Sequence, residues 1–242
     1  MNIFSFRTLY LSLAVFGLVV ISGCGPTKPV DPLQKGLIAH FAFENNVKDS
    51  SGHSYNGTAN GNPSYKPGIG WGRAISLDGQ NDWLKLAATK HLLNGDFTIS
   101  VWVKYAKQTN NLGYAALFIQ STNSKSPYDG VSIFLKNNML VRLDKTQELY
   151  SAENNLTDNK WHHLAMVRKA KLLSLYIDGE LDKSRQVTHA QITDPSPIFI
   201  GSNHVNQKIQ LYKGLIDEMR IYNRALSQAE IKSLFDELSK IG

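Results

Sequence analysis

A single cysteine, Cys24, stands among the 242 residues, so no disulfide can form within the chain and stability must come from the core or a metal. The longest apolar run, Leu9–Ile21, is shorter than the roughly 20 residues that a membrane-spanning helix needs. The sequence contains neither the Gly-x-Ser-x-Gly motif nor the His-Glu-x-x-His motif, which are two common signatures of hydrolases. The net charge of +6 comes from scattered basic residues, so we expect no nucleic-acid partner.

The N-terminus has the features of an export signal. Arg7 precedes the apolar run, which ends in Ser22 and Gly23 directly before the cysteine. The stretch Ile21-Ser22-Gly23-Cys24 resembles the lipobox of bacterial lipoproteins, in which the cysteine takes a diacylglycerol and the chain is cut just before it. This resemblance predicts a signal peptide at residues 1–23 and a lipid anchor at Cys24. The alternative is an ordinary secretory signal followed by an incidental cysteine.

Residues 24–36 contain three prolines among small and polar residues, which predicts an extended tether rather than folded structure. Gly25 follows the cysteine, where by the same resemblance an aspartate would signal retention at the inner membrane. The expected location is therefore the cell envelope, with the protein lipid-anchored to a membrane. That membrane is the outer one if the cell is Gram-negative, and the domain faces the periplasm or the cell surface.

Short strands separated by turn residues dominate residues 37–242. In residues 97–104 apolar side chains alternate with polar or aromatic ones, which is typical of a strand with two distinct faces. The Asp178-Gly179 pair predicts a hairpin turn. Ser227 and Glu230 form a capping box that predicts a C-terminal helix at residues 227–239. Residues 45–62 are rich in turn formers and predict a long loop. Further strands are predicted at residues 37–43, 115–120, 131–135, 140–143, 161–168, 173–177, 198–200 and 215–222.

The absence of strand–helix alternation predicts an all-β antiparallel sandwich with a short C-terminal helix. Four blocks of residues sharpen this prediction: 74–79, 95–104, 158–165 and 214–227. In sequence and order they resemble the laminin-G-like jelly-roll domains of the concanavalin A-like lectin/glucanase superfamily. The resemblance implies one jelly-roll β-sandwich over residues 37–242. It leaves function open, because this fold carries lectins, adhesins and hydrolases.

No catalytic carboxylate pair is evident. Glucanases of this superfamily carry Glu-x-Asp-x-(x)-Glu on one strand face, and the nearest stretch here is Glu180-Leu181-Asp182. Ser184 or Arg185 stands where the third acid belongs, so we interpret these charges as solvated and predict that the protein is not an enzyme.

Two other motifs also have structural interpretations. His162 and His163 are adjacent in a predicted strand, so their rings point to opposite faces and cannot share one metal ion. The glycine-rich run at residues 68–72 is followed by a strand, so it cannot present helix N–H groups to a phosphate.

A calcium site is the main metal hypothesis. Asp217 is in phase with apolar residues of a strand, and a carboxylate there needs a cation or several hydrogen-bond donors. Glu44 ends the first strand and Asp49 lies in the loop after it, so these three acids could converge with loop carbonyls as oxygen ligands for Ca²⁺. Relatives of this fold often hold a structural calcium in a comparable place. The alternative is that Asp217 pairs with Arg73 or Arg224 and that Asp49 only caps its turn.

Aromatic side chains are the main candidates for contact with a glycan. Trp102 and Trp161 fall within the family-like blocks and Trp71 and Trp83 lie close to them, so we predict core positions for all four, and we expect a loop or the C-terminal helix to cover Trp102. The predicted ligand-binding residues lie in segments rich in Asn, Gly or Ser and are Tyr114, Tyr128, His204 and Tyr212. The predicted function is a non-catalytic binding module of the cell envelope whose partner is a glycan. The alternative is a structural or adhesion protein that binds an envelope protein.

Overall fold

The computed structural model describes residues 31–86, 93, 95–106, 113–123, 126–143, 147–153, 155–188, 197–203 and 210–240, without the side chains of residues 121–129. Cys24, the signal-peptide residues and His204 lie outside the described residues. Tyr128 lies in a described strand, but its side chain is outside that part of the structure. Among the described residues, no helix is long and apolar enough to span a membrane.

The described part of the chain contains fifteen strands and one α-helix. The first eight strands are β1 (Leu37–Phe41), β2 (Gly57–Asn60), β3 (Ser64–Pro67), β4 (Arg73–Asp78), β5 (Trp83–Leu86), β6 (Phe97–Ala106), β7 (Ala115–Asn123) and β8 (Ser126–Leu135). The others are β9 (Met139–Leu143), β10 (Glu148–Tyr150), β11 (Asp158–Lys169), β12 (Leu172–Ile177), β13 (Glu180–Gln186), β14 (Ile198–Ile200) and β15 (Lys213–Tyr222). The helix α1 (Gln228–Ser239) follows, and its capping box is formed as predicted.

These strands make two antiparallel sheets. The eight-stranded sheet runs β13-β12-β11-β6-β15-β4-β3, with β1 paired to β15, and the seven-stranded sheet runs β10-β9-β8-β7-β14-β5-β2. The predicted antiparallel sandwich is therefore confirmed. The predicted loop at residues 45–62 is wrong in part, because β2 forms within it and pairs with β5. β2 has little buried surface, so the hydrophobic pattern that identifies other strands is missing from it.

Three apolar clusters hold the layers together. The largest lies between the two sheets and takes inward-facing residues such as Ile99, Val101 and Val103 from the central strand β6. A second cluster joins the outer face of the eight-stranded sheet to α1 through Ile231 and Leu234. The third lies on the outer face of the seven-stranded sheet and contains Ala116, Ile119, Phe134, Leu140 and Phe199. The helix therefore covers one outer face, as an amphipathic helix must to bury its apolar stripe.

The compact unit begins at Asp31, before the predicted domain start at residue 37. Residues Pro32–Gln34 form a 3₁₀ turn that Asp31 caps through its side chain. The guanidinium of Arg224 donates to the carbonyl oxygens of Lys35 and Pro32, at 2.6 and 2.8 Å. Residues 31–36 are thus docked on the domain, although they were predicted as part of the tether.

Candidate functional site

A pocket of about 480 Å³ opens on the outer face of the eight-stranded sheet, beside the C-terminal end of α1. Its lining combines aromatic, amide, hydroxyl and charged side chains: Ile69, Trp102, Lys104, Asn159, Lys160, Trp161, Asp178, Phe235 and Ser239. We call this cavity the helix-end pocket. Its volume lies within the usual range for small-molecule sites, and apolar walls with a few polar groups are typical of them.

Two irregularities of the strands shape the helix-end pocket. β11 shifts register against β6 between Asp158 and Trp161, and Asn159 at this bulge has a positive φ of 62°. β15 shifts register against β6 between Asp217 and Arg220, on the other side of the same central strand. Bulges redirect side chains and often lie near binding sites. Here the first one places three consecutive pocket residues, 159–161, at the rim.

Trp102 forms part of the pocket wall and is covered by the helix, as predicted. Its ring stacks on Phe235 with 5.5 Å between centroids, and only 3% of its surface is exposed. The Nε1–H of Trp102 is buried and donates to no hydrogen-bond acceptor among the described residues. An unpaired buried donor is uncommon and costs free energy. Trp102 therefore contributes to the pocket wall while its buried N–H group has no hydrogen-bond acceptor among the described residues.

The carboxylate of Asp178, one of the polar groups of the pocket, is held in place by hydrogen bonds to neighbouring residues. Asp178 occupies the β12–β13 hairpin turn with a φ of 50°, as the Asp-Gly prediction requires. One carboxylate oxygen of Asp178 accepts from the backbone N–H of His163 at 2.8 Å, and the other is 2.9 Å from Nδ1 of His162. Lys104 and Lys160 supply two ammonium groups to the rim. The pocket lining thus combines one positioned carboxylate with two lysines.

The two histidines have different partners, in agreement with the prediction that they do not share a metal. His162 lies between Asp178 and Asp158, and its hydrogen bond to Asp178 raises its pKa, with Asp158 adding to the effect. His163 is fully buried and its Nε2 is 2.8 Å from Oγ of Ser100. Burial lowers the pKa of His163 to about 3, so this ring is neutral at physiological pH.

The glycine-rich run at residues 68–72 forms a closed loop next to the pocket. The N–H of Gly68 donates to the carbonyl of Gly72 at 3.0 Å, and Ile69 between them contributes to the pocket lining. Trp71 lies at the tip and is 92% exposed, so the prediction of a core position is wrong for this tryptophan. Trp83 and Trp161 are only half-buried, so they are not full core residues either. An exposed tryptophan next to a cavity is a typical stacking surface for a ligand.

Two of the predicted calcium ligands meet behind this loop. A side chain at Gly68 would collide with Oδ2 of Asp217, and one at Gly72 would collide with Oε1 of Glu44. The same oxygens accept backbone hydrogen bonds, from Ile69 to Asp217 and from Arg73 to Glu44, each at 3.0 Å. The glycines are therefore needed for space. Burial raises the pKa of Asp217 to about 7, and the charge of Glu44 adds to this effect.

Asp49 does not join these two carboxylates. Its oxygens accept backbone hydrogen bonds from His40, Ser51 and Tyr55, so it organises its own loop. These donors lower the pKa of Asp49 although burial opposes them. Among the described residues, no three acidic, histidine or cysteine side chains come together in an arrangement that could hold a metal ion. The structure therefore does not assemble the predicted three-carboxylate site.

The predicted ligand-binding tyrosines divide into two groups. Tyr212 is wrong as a surface candidate, because it is fully buried, its hydroxyl donates to the carbonyl of Leu215, and its ring stacks on Tyr105 at 5.2 Å. Tyr114 is half-buried, and its ring centroid is 6.4 Å from that of the exposed Tyr150. No pattern in the sequence marks Tyr150 or the pocket residue Trp161 as a surface residue. Only the packing of the strands shows that their rings reach the surface.

The acidic stretch at 180–182 has a structural role in part. It lies on β13, the edge strand of the eight-stranded sheet. The carboxylate of Asp182 accepts from the backbone N–H groups of Ala152 and Glu153, at 2.7 and 2.9 Å. Its oxygens are therefore occupied in fixing the loop after β10.

The fold and the residues together define a jelly-roll domain with a pocket on one outer face. Residues 78–232, more than half of the chain, match the family model Laminin_G_3 of the concanavalin A-like lectin/glucanases superfamily. The chain belongs to this family, which confirms the resemblance drawn from its sequence blocks.

The chain is similar to parts of larger proteins. The chain is 28% identical over 163 residues to paraclostridial mosquitocidal protein 1 of Paraclostridium bifermentans, covering 58% of this chain and 12% of that protein. The crystal structure of the binding domain of that protein superposes with a TM-score of 0.72, covering 85% of this chain and 53% of the domain at 22% identity. The chain thus spans only a small part of this relative.

Two further structures have the same fold. Domain 4 of AbnA, a GH43 extracellular arabinanase from Geobacillus stearothermophilus, was solved in complex with arabinotriose. It is 25% identical with a TM-score of 0.65, and the match covers 82% of this chain and 97% of that domain. The binding domain of botulinum neurotoxin DC in complex with rat synaptotagmin II is 19% identical with a TM-score of 0.65, covering 84% of this chain and 52% of that domain.

Proposed function

We propose that this protein is a non-catalytic carbohydrate-binding module, and that the helix-end pocket binds one or more sugar residues. The observation that supports the proposal is the lining of the pocket. Trp161 offers an aromatic face, Asn159 an amide, and Asp178 a positioned carboxylate, in a cavity that suits a sugar ring. The bound arabinotriose of AbnA domain 4 shows that a domain of this size and fold can act as a sugar-binding unit.

The proposal includes a lipid anchor at Cys24 that holds the domain on the cell envelope. The domain begins at Asp31, and its first residues are bound by Arg224. The nearby Tyr222 pairs with Thr98 at the start of β6. The pocket lies at the other end of β6, at Lys104. Residues 98 and 104 are about 20 Å apart along an extended strand. The first residues of the domain and the pocket therefore lie at opposite ends of β6.

The test is a binding measurement with variants of the pocket. The full-length chain is applied to an array of bacterial polysaccharides and oligosaccharides that includes arabinotriose, and the affinity of each bound glycan is measured by calorimetry. We expect Trp161→Ala to weaken binding at least about tenfold, as loss of a central aromatic contact does. Trp83→Phe is the matched control, because Trp83 packs on Phe199 on the opposite sheet. Binding that is unchanged in Trp161→Ala would contradict the assignment of the pocket.

The alternative partner is a protein of the envelope. The neurotoxin domain in complex with synaptotagmin II shows that this fold also binds proteins, although its 19% identity supports the fold alone. The same variants separate the two possibilities. A stoichiometric protein that co-purifies with the wild type, and not with Trp161→Ala, would replace the glycan as the proposed partner.

Calcium stays a prediction, with Glu44 and Asp217 as its carboxylate ligands. Both are hard oxygen donors at one glycine loop, and a cation there would stabilise the charged form of Asp217, whose pKa is raised mainly by burial and further by the charges of Glu218 and Glu44. We expect millimolar Ca²⁺ to raise the melting temperature of the wild type but not of Glu44→Gln. An equal melting temperature with Ca²⁺ and with chelator would remove this part of the proposal.

A further inference from the structure

A second surface, on the opposite outer face of the sandwich, has the chemistry of a sugar site. It lies where β7 begins, β8 turns into β9, and β10 ends, and we call it the tyrosine edge. Its side chains are Tyr114, Lys136, Asn138, Arg142, Glu148 and Tyr150. We propose that the tyrosine edge is a separate binding site for an anionic sugar, such as a uronic or sialic acid residue of a glycan.

The two aromatic rings form a corner that is open to solvent. Tyr150 is 40% exposed, which makes it one of three exposed large apolar side chains among the described residues. Tyr114 is half-buried against the apolar cluster of this face. The two ring planes meet at 59° with 6.4 Å between centroids, so a sugar ring could rest on the exposed ring of Tyr150 and touch the edge of Tyr114.

The polar groups around the rings are fixed and leave hydrogen-bonding capacity free. The hydroxyl of Tyr150 donates to Glu148 at 2.8 Å, and the hydroxyl of Tyr114 donates to the side-chain oxygen of Asn138 at 3.3 Å. Both phenol oxygens can still accept a hydrogen bond. The amide N–H groups of Asn138 donate to no described residue. Sugar hydroxyls both donate and accept, so they match this set.

The backbone that carries these groups is tied down. Across the β8–β9 turn, the N–H of Lys136 donates to the carbonyl of Asn138 at 3.0 Å. The carbonyl of Asn137, within the same turn, accepts from the N–H of Leu156 at 2.9 Å. Met139 and Ser151 exchange two further hydrogen bonds, which fix the end of β10 against the start of β9. A site that is already ordered loses little conformational entropy when a ligand binds.

The charge of the tyrosine edge favours an anion. The ammonium of Lys136 lies 5.8 Å from the centre of the Tyr114 ring and is exposed. Arg142 pairs with the carboxylate of Glu148, so that negative charge is already compensated. Arg185 of the neighbouring strand β13 donates to the carbonyl of Glu148 at 2.7 Å and adds another exposed cation. A carboxylate on the sugar would therefore meet a surplus of positive charge beside an aromatic platform.

The tyrosine edge does not depend on the helix-end pocket. The pocket lies under α1 on the outer face of the eight-stranded sheet, whereas Tyr150 pairs with Leu140 on the outer face of the seven-stranded sheet. Two sites on one domain could hold two segments of a polysaccharide, which raises the overall affinity through effective concentration. Loss of one site should leave the other intact.

The test uses two pairs of probes that differ mainly in charge. Calorimetry with the full-length chain compares sialyllactose with its methyl ester, and trigalacturonic acid with its methyl ester. We expect at least one acid to bind at least about tenfold more tightly than its neutral partner. Tyr150→Ala should abolish this binding, and Lys136→Ala should weaken it about tenfold and reduce its dependence on salt. Lys66→Ala, an exposed lysine of β3, is the charge-matched control and should bind as the wild type does.

Tyr150→Phe separates the ring from its hydroxyl and guards against misfolding, because it keeps the packing surface. We expect it to retain part of the affinity. The proposal is overturned if neither acid binds more tightly than its neutral partner, or if Tyr150→Ala binds the acid as the wild type does. Loss of acid binding in both Tyr150→Ala and Trp161→Ala would assign a single site and also overturn it. If Trp161→Ala loses binding to neutral glycans but still binds the acid, the result supports the helix-end pocket as the neutral-glycan site and leaves the tyrosine edge as a separate site.

Discussion

Replacing Asp217 with asparagine tests the electrostatics behind the glycine loop. The carboxylate is 2% exposed, and its pKa is raised from 3.8 to about 7. A raised pKa means that the folded protein binds the proton more tightly than the unfolded chain does. The contribution of Asp217 to stability is therefore complete below pH 3.8 and is lost as the pH rises through about 7. Asparagine is neutral at every pH, so Asp217→Asn should lose this dependence.

The size of the effect follows from the two pKa values. Between pH 5 and pH 8, titration of this one group lowers the free energy of unfolding of the wild type by about 2 to 3 kcal/mol. In Asp217→Asn the same interval should show no such loss, beyond changes that the other groups make in both proteins. The variant also gives up one hydrogen-bond acceptor, since Ile69 and Glu218 both donate to the carboxylate. That costs about 1 kcal/mol at all pH values and does not affect the slope.

The assay is urea denaturation followed by tryptophan fluorescence, at pH 5 and pH 8 in the presence of EDTA. The chelator removes divalent cations that would lower the pKa of Asp217. Glu44→Gln is the second variant, because removal of its charge should lower that pKa and give a smaller slope than the wild type has. Equal slopes for Asp217→Asn and wild type would refute the assignment of a raised pKa to this carboxylate.

Three other predictions concern single contacts. Ser227→Ala removes the capping box of α1 and should cost about 1 kcal/mol in urea denaturation, whereas Ser233→Ala on the exposed side of the same helix should cost little. In NMR titrations, His162 should titrate above pH 6.5 because two carboxylates flank it, whereas the buried His163 should show no titration between pH 5 and pH 8. Titration of both rings at the same pH would contradict the opposite pKa directions of the two histidines. Gly72→Ala should destabilise by about 1 to 3 kcal/mol, since its new methyl group meets the carboxylate of Glu44, and the cost should fall in a Glu44→Ala background.

The parts of the fold that sequence analysis predicted well are those fixed by local rules. The capping box at Ser227 and the Asp178-Gly179 hairpin depend on a few neighbouring residues, and both form as expected. Asp49 behaves as a turn-capping residue because its donors, with the exception of His40, lie within six positions of it. The central strands were predicted because alternating burial leaves a period of two in the sequence. The polar strand β2 carries no such period, and it was missed.

The candidate site depends on contacts that no local rule reports. Tyr212 and Tyr150 both lie in polar surroundings in the sequence, yet one stacks inside the sandwich on Tyr105 and the other is exposed beside Tyr114. The core position predicted for Trp71 rests on the resemblance to the family, but the space behind its loop is filled by two carboxylates, and the indole lies outside. The helix-end pocket exists because a register shift in β11 and the end of α1 meet over β6. Such a cavity is a property of three elements distant in sequence, so it becomes visible only once their packing is known.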